Sequence, residues 1–381
     1  MGSLLNRFDR MEWAGAFGDL GTFIPFLVAY IAVVKVPPGG ILLSFGLAMI
    51  FCGLYYKTPF PVQPMKGIGT IAATQAARAA TMTSGAVYAA DLVSGLIWLI
   101  LGLTGWVSHL ARLIPRLVIS GIVLGLGMSF MLEGIRMMSA DWIVSTIGLA
   151  GTFLLLHTRA IPAMLALLVF GMASAAFQNP AALQALSTVR FAPHLPDLAL
   201  TAVTWRDVLI GTFLLSVPQL PLTLGNAVIA TREQNNRLFP DRSVTENAVA
   251  TSTGIMNLAG AALGGVPMCH GAGGMAGQVT FGARTGGAPI IFGAVLVCLA
   301  LGFSDSVYTL FNIIPRAVLG VILFFSGGQL ALGAGELTED RTERFATLVT
   351  AAFTVWNVGI AFIAGMALAH LSTRARFRGR I

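Results

Sequence analysis

The chain has 381 residues, of which 56% are hydrophobic and 10% charged, whereas soluble domains carry about 25% charged residues. That balance excludes an ordinary soluble enzyme, and the net charge of +7 is spread between apolar runs rather than gathered into a nucleic-acid-binding patch. The three cysteines (Cys52, Cys269 and Cys298) all lie in apolar stretches with no CxxC or Cys/His spacing, so buried thiols are expected and no metal or cofactor.

Apolar runs recur from end to end, each about long enough to cross a bilayer core of roughly 30 Å. In chain order, fourteen spans are predicted at 12–34, 39–56, 60–78, 84–107, 114–135, 140–158, 161–178, 206–230, 246–264, 265–282, 286–303, 314–336, 342–355 and 357–371. The class is an all-α polytopic membrane protein. Arg7, Asp9, Arg10 and Glu12 crowd the start, so no cleaved signal peptide is expected. With the N-terminus in the cytoplasm, sixteen Lys and Arg residues fall on the cytoplasmic side and six outside, in keeping with the positive-inside rule and with both termini inside.

The first span carries Asp19 in "GAFGDLGTF". An acid inside a membrane is costly and is a functional candidate; Asp19 is read either as a carrier of a coupling proton or as a structural partner of Thr22 or Lys66. The third span contains "PVQPMKGIGTIAA" (61–73). Pro61 and Pro64 push Phe60 and Gln63 towards extended backbone, and Pro64 suits a first helical position. A half-helix is therefore predicted from Met65 to Ala77, its N-terminus inside the membrane, where irregular backbone persists only against protein or a watery cavity. Lys66 either neutralises a bound anion or snorkels to the cytoplasmic face. Asp91 in the fourth span and Glu133 in the fifth are placed near membrane edges and read as structural.

The long segment 179–205, with Pro180, Pro193 and Pro196, reads as a joint between two halves. In the eighth span Gln219, Thr223 and Asn226 fall at i, i+4 and i+7, a polar stripe that lines a pocket or bonds helix to helix. In the tenth, "GGVP" (264–267) breaks the chain and a Gly-rich half-helix is predicted from Met268.

Two internal matches stand out. "LIPRLVISGIVLGLGMSF" (113–130) matches "IIPRAVLGVILFFSGGQL" (313–330), and "PMKGIGTIAA" (64–73) matches "PMCHGAGGMAG" (267–277), at offsets of 200 and 203 residues. An odd number of spans separates the copies, which predicts inverted halves, 1–178 and 206–381, with substrate near the midplane where they meet. Both half-helices then aim free N–H groups and a partial positive charge at one region, an anion pocket. Its predicted residues are Gln63, Met65, Lys66 and Gly67 from one copy, His270, Gly271, Ala272, Gly273 and Gly274 from the other, and Gln219, Thr223 and Asn226 from the stripe. Gly67, Gly69, Gly271, Gly273 and Gly274 are expected to let a ligand reach the backbone. His270 either donates to the anion or is satisfied by neighbouring helices.

The stretches "GAFGDLGTFIPF", "FPVQPMK", "LPLTLGNAVIATR" and "PMCHGAGGMAGQVTFGARTG" resemble the molybdate transporter family, a branch of the sulfate permease superfamily. The resemblance covers nearly the whole chain. It implies a seven-plus-seven inverted repeat, a core domain of spans 1–4 and 8–11, a gate domain of spans 5–7 and 12–14, and an anion held between spans 3 and 10. Sulfate permeases usually carry a cytoplasmic regulatory domain, while this chain ends about ten residues past its last predicted span, which favours the molybdate branch.

The sequence thus reads as a secondary transporter of a tetrahedral oxyanion, moved by an elevator-like step, with Asp19 and Thr22 as the candidates should transport be coupled to protons. Molybdate comes first, then sulfate or tungstate; the setting is a bacterial inner membrane, and a homodimer is allowed. A nucleobase or carboxylate permease of the same fold is the alternative, although a nucleobase usually wants paired acids in spans 8 and 10. A membrane enzyme would need a nucleophile–base pair or metal ligands, and no HExxH or GxSxG is present.

Overall fold

The computed structural model of the chain describes residues 5–69, 82–156, 158, 161–178, 184, 186–193, 195, 203–332, 334 and 340–377. The remainder of the third predicted span and most of the joint at 179–205 lie outside the described residues.

Local chemistry sets the helix ends. Helix α1 (Arg10–Ala16) starts at Asp9, whose carboxylate accepts from the Met11 and Glu12 amides at 2.9 and 3.2 Å. It breaks at 17–19, and α2 (Leu20–Ala32) leaves at an angle of 42°. Then follow α3 (Pro38–Tyr56), α4 (Ser84–Thr104) capped by Thr83, α5 (Trp106–Arg112), α6 (Arg116–Met138), α7 (Trp142–Leu156) and α8 (Ala163–Gln178). Helix α9 (Trp205–Leu238) runs for 34 residues. It opens on a Thr204/Asp207 capping box, and wide π turns at Gly211–Ser216 and Thr223–Ala230 flank its prolines. Helix α10 (Glu246–Leu263) ends on Gly264 at φ 76°, a left-handed turn that glycine adopts without strain. The chain closes with α11 (Ala272–Thr280), α12 (Gly287–Phe303), α13 (Val307–Asn312), α14 (Arg316–Leu332), α15 (Arg341–Trp356) and α16 (Val358–Phe377).

Among the described residues five helical stretches are long and apolar enough to cross a membrane, or six if the bent α1–α2 pair is one span; four shorter apolar helices accompany them. Large apolar side chains such as Phe51, Leu54, Ile143 and Phe213 face outward, as lipid-facing positions should.

The two proline breaks behave differently from a pair of plain half-helix starts. Gln63–Pro64 (β1) and Met268–Cys269 (β2) form an antiparallel pair, Gln63 opposite Cys269 and Pro64 opposite Met268. The Met65 amide extends it, donating to the Pro267 carbonyl at 2.8 Å. Helical backbone begins only at Lys66 and at Ala272, later than the predicted starts at Met65 and Met268. The physical reason is satisfaction of backbone groups: inside an apolar interior each break supplies the partners the other lacks.

Packing falls into two groups. In one, α3 lies against α12, α4 against α10 and the first π turn of α9, and α1 against α11 and α12. The buried Glu12 carboxylate ties α1 to the start of α12, accepting from the amides of Arg284, Thr285 and Ala288 at 3.0, 2.9 and 3.2 Å. In the other, α6 packs on α14 and α15, with α7, α8 and α16 around them. Helices α2 and α11 contact α14, and α9 contacts α6 and α16. The α6–α14 seam is built on glycine: methyl groups placed on Gly127 and Gly327 would stand 2.6 and 2.7 Å from each other's carbonyl oxygens, and Gly134 and Gly320 meet in the same way.

Candidate functional site

The strand pair forms one wall of a cavity of about 590 Å³ between the two helix groups. Gln63, Lys66, Gly67, Gln219 and Asn226 line it, joined by Cys269 of β2. The opposite wall comes from Leu126, Ser129 and Phe130 of α6 and from the tip of the α15–α16 hairpin around Asn357. Five of the residues expected at the site therefore share one cavity.

Lys66 does not snorkel. Its Nζ is buried without a hydrogen-bond partner among the described residues and stands 3.7 Å from the centroid of the Phe130 ring. A cation–π contact of this kind contributes about 0.5–2 kcal/mol, less than an ammonium loses on leaving water.

Gln63 is the hub behind it. Its Nε2 lies 2.6 and 2.7 Å from the two Asp19 carboxylate oxygens and 2.9 Å from Thr22 Oγ1, and the Thr22 hydroxyl also donates to Asp19. Asp19 sits at the α1–α2 break, where the backbone is free to turn its carboxylate towards the first turn of α11. A methyl on Gly274 would stand 2.7 Å from Asp19 Oδ2, 2.8 Å from Pro61 Cβ and 2.9 Å from Gln63 Nε2. One on Gly271 would strike Gln63 Oε1, one on Gly273 the Phe130 ring, and one on Gly67 the Gln219 amide. Glycine at these positions admits polar and aromatic side chains of the protein itself, a different use from the expected approach of ligand to backbone. The N-terminus of α11 is faced by Asp19, a carboxylate that suits its partial positive charge.

Gln219 fixes the opposite edge, accepting from the Ile68 amide at 3.2 Å and donating to Thr223 Oγ1 at 3.1 Å. Thr223 is buried behind it. Met65 is buried in the strand pair, and Ala272 is buried at the start of α11. His270 is fully engaged elsewhere: Nδ1 is 2.8 Å from the Pro61 carbonyl, Nε2 is 2.7 Å from Ser252 Oγ, and the ring stacks edge-on against Phe60. It braces the first break against α10 and does not line the cavity.

Sequence reasoning missed Phe130, Ser129, Cys269 and the hairpin tip. A signal existed for the last: the predicted spans 342–355 and 357–371 almost touch, which marks a tight reversal at Asn357. Phe130 ends the repeated segment 113–130, but nothing in that pattern says which face reaches a lysine 64 residues earlier.

An apolar helical protein with a mostly apolar cavity between two helix groups, carrying one lysine and a few polar side chains and walled by two paired chain breaks, has the build of a membrane carrier for a small anion. A family model described as "Molybdate transporter of MFS superfamily" matches residues 11–130 and 211–330, and the chain belongs to this molybdate transporter family. Molybdate transporter 2 of Arabidopsis thaliana is 30% identical over 393 residues, covering 90% of this chain and 82% of that protein. Molybdate transporter 1 of Chlamydomonas reinhardtii is 28% identical, covering 93% and 90%. Among solved structures, the transmembrane domain of the cyanobacterial bicarbonate transporter BicA superposes with a TM-score of 0.58 at 15% identity, over 95% of this chain and all of that one. Murine Slc26a9, an anion transporter in the inward-facing state, gives 0.63 at 13% identity, over 98% and 69%.

Proposed function

We propose that the chain is a secondary transporter of a tetrahedral oxyanion, molybdate before sulfate or tungstate, which it binds in the cavity between the strand pair and α6. The observation that carries the reading is the buried Lys66 Nζ beside the paired breaks, without a hydrogen-bond partner among the described residues, in a chain whose relatives are named molybdate transporters. Lys66 supplies one positive charge. The first-turn amides at Lys66 and Gly67 and the Gln219 and Asn226 side chains supply directed polar groups, the means by which proteins hold oxyanions. Phe130 swings aside as the anion takes its place over Nζ. Asp19 and Thr22 position Gln63 and do not touch the anion.

Transport then takes an elevator-like movement of a core domain (spans 1–4 and 8–11) against a gate domain (spans 5–7 and 12–14). The two packing groups support this division, and the two family matches beginning 200 residues apart support a fourteen-span inverted repeat. No covalent chemistry is required. A nucleobase permease is disfavoured because α9 and α11 bring no acid to the cavity among the described residues. Calorimetric titration of the purified chain with molybdate, tungstate, sulfate and uracil tests the reading. Molybdate saturating at one site and uracil silent is the expected result; uracil binding with molybdate silent overturns it.

A further inference from the structure

Asp91 departs furthest from the sequence reading. Placed there near a membrane edge, it stands in the body of α4, is 0% exposed, and neither carboxylate oxygen has a hydrogen-bond partner among the described residues. Asp19 differs in kind, since Gln63 and Thr22 satisfy its carboxylate. A bare carboxylate buried without partners is not tolerated, so Asp91 carries its proton in this conformation and gives it up only where water or a donor reaches it.

The surroundings connect Asp91 to the cavity. A methyl on Gly260 of α10 would stand 2.9 Å from Asp91 Oδ2 and 2.7 Å from Met268 Cε, and Met268 is the β2 residue paired with Pro64. Tyr30 of α2 is 1% exposed, its hydroxyl also lacks a partner among the described residues, and it lies within electrostatic reach of both Asp91 and Cys269. Cys269 is on the cavity wall. The Tyr30 hydroxyl and the Asp91 carboxyl are not within hydrogen-bond distance of each other in this conformation; a hydroxyl both donates and accepts, so with a water bridging that gap Tyr30 can hand a proton between the cavity side and Asp91. The other charged groups on the packed elements lie away from it. Asp207 and Arg206 of α9 stand at the start of α4, where Asp207 accepts from Thr83 Oγ1 at 2.5 Å. Glu246 of α10 faces Arg232 at 3.6 Å, and His109 and Arg112 belong to α5, beyond the far end of α4. Ser44 of α3 donates to its own helix.

We propose that Asp91 is the site that binds and releases a proton co-transported with the anion, with Tyr30 as its relay. The inference rests on the transport reading above. The step is a bare proton transfer: the carboxylate takes up H⁺ on the side of higher proton activity, crosses as the neutral acid while the dianion is bound, and returns H⁺ to water on the other side. One negative charge fewer then crosses per anion.

The test uses the full chain in liposomes with the membrane potential clamped at zero by potassium and valinomycin. With one proton per anion, molybdate accumulation in the parent rises about tenfold for each pH unit of acid-outside gradient. In Asp91→Asn, affinity measured by calorimetry holds and the gradient no longer drives accumulation. An Asp91→Asn protein that still accumulates molybdate with the gradient overturns the proposal, as does a parent driven by sodium and indifferent to protons. Should Asp91→Asn fail to fold, Tyr30→Phe decides in the same assay: a slower gradient-driven rate at unchanged affinity supports the relay, and an unchanged rate overturns it. A parent that binds no oxyanion at all is a distinct result, which removes the transport reading and this inference with it.

Discussion

Replacing Lys66 by methionine removes the ammonium and keeps most of the apolar stem. Among the described residues its Nζ is buried without a hydrogen-bond partner, in contact with the Phe130 ring at 3.7 Å and within electrostatic reach of Asp19. Losing that contact costs about 0.5–2 kcal/mol, while relieving an unpaired buried charge returns several kcal/mol. The melting temperature without anion should therefore hold or rise. Binding should move the other way. A hydrogen bond to a charged group contributes about 1.5–3 kcal/mol, and at about 1.4 kcal/mol per tenfold its loss weakens molybdate binding by about 10- to 150-fold. Calorimetry and thermal unfolding on one monodisperse preparation measure both quantities. Unchanged affinity together with a lower melting temperature would refute the reasoning, because that is the pattern of a lysine that serves packing alone.

Gln219→Ala leaves the Ile68 amide without its acceptor, and anion affinity should fall by about 1–3 kcal/mol, the cost of an unpaired buried donor; a fall in melting temperature at constant affinity marks helix bonding instead. Gly274→Ala forces apart Asp19, Pro61 and Gln63, which a new methyl would approach at 2.7–2.9 Å, so both stability and molybdate affinity should drop, and calorimetry indistinguishable from the parent counts against the Gln63 hub. Asp141, in the loop before α7, accepts from the amides of Val144 and Ile143 and from Gln178 Nε2 at 2.6 Å. Above all the Val144 amide, then Gln178, hold its carboxyl below the ordinary aspartate range. Its contribution is present above that range and lost as pH falls through the lowered value, so Asp141→Asn should flatten the acid side of the melting-temperature profile; an unchanged acid side contradicts the assignment.

Much of the site could be read from residues whose chemistry is out of place in lipid. Two prolines around a glutamine and a lysine, repeated as GGVP, marked the breaks, and the i, i+4, i+7 spacing put Gln219, Thr223 and Asn226 on one face. What could not be read was pairing between distant segments. The Gln63–Cys269 register depends on how two halves of the chain meet, and so does the identity of the ring over Lys66. Asp91 shows the same limit. The pattern "YAADLVSGLIW" places an acid on an apolar helix, but whether it faces headgroups or the interior is decided by α10 and β2, which follow more than 150 residues later. The glycines were read for what they allow and not for what fills the space, because the sequence does not say that Gln63, Asp19 and Phe130 arrive there.

The seam between α6 and α14 sets a rule for how this chain can change. Gly127 and Gly327 stand 200 residues apart in sequence and back to back in space, each against the other's carbonyl. Neither can gain a side chain unless the facing helix yields, and the facing helix presents the same demand in return. Drift at these positions is therefore locked in pairs: a methyl gained in one half needs room made in the other before it is tolerated. A library randomised one site at a time would find the seam immutable, while one that varies both partners together could widen it and show how closely α6 and α14 must approach.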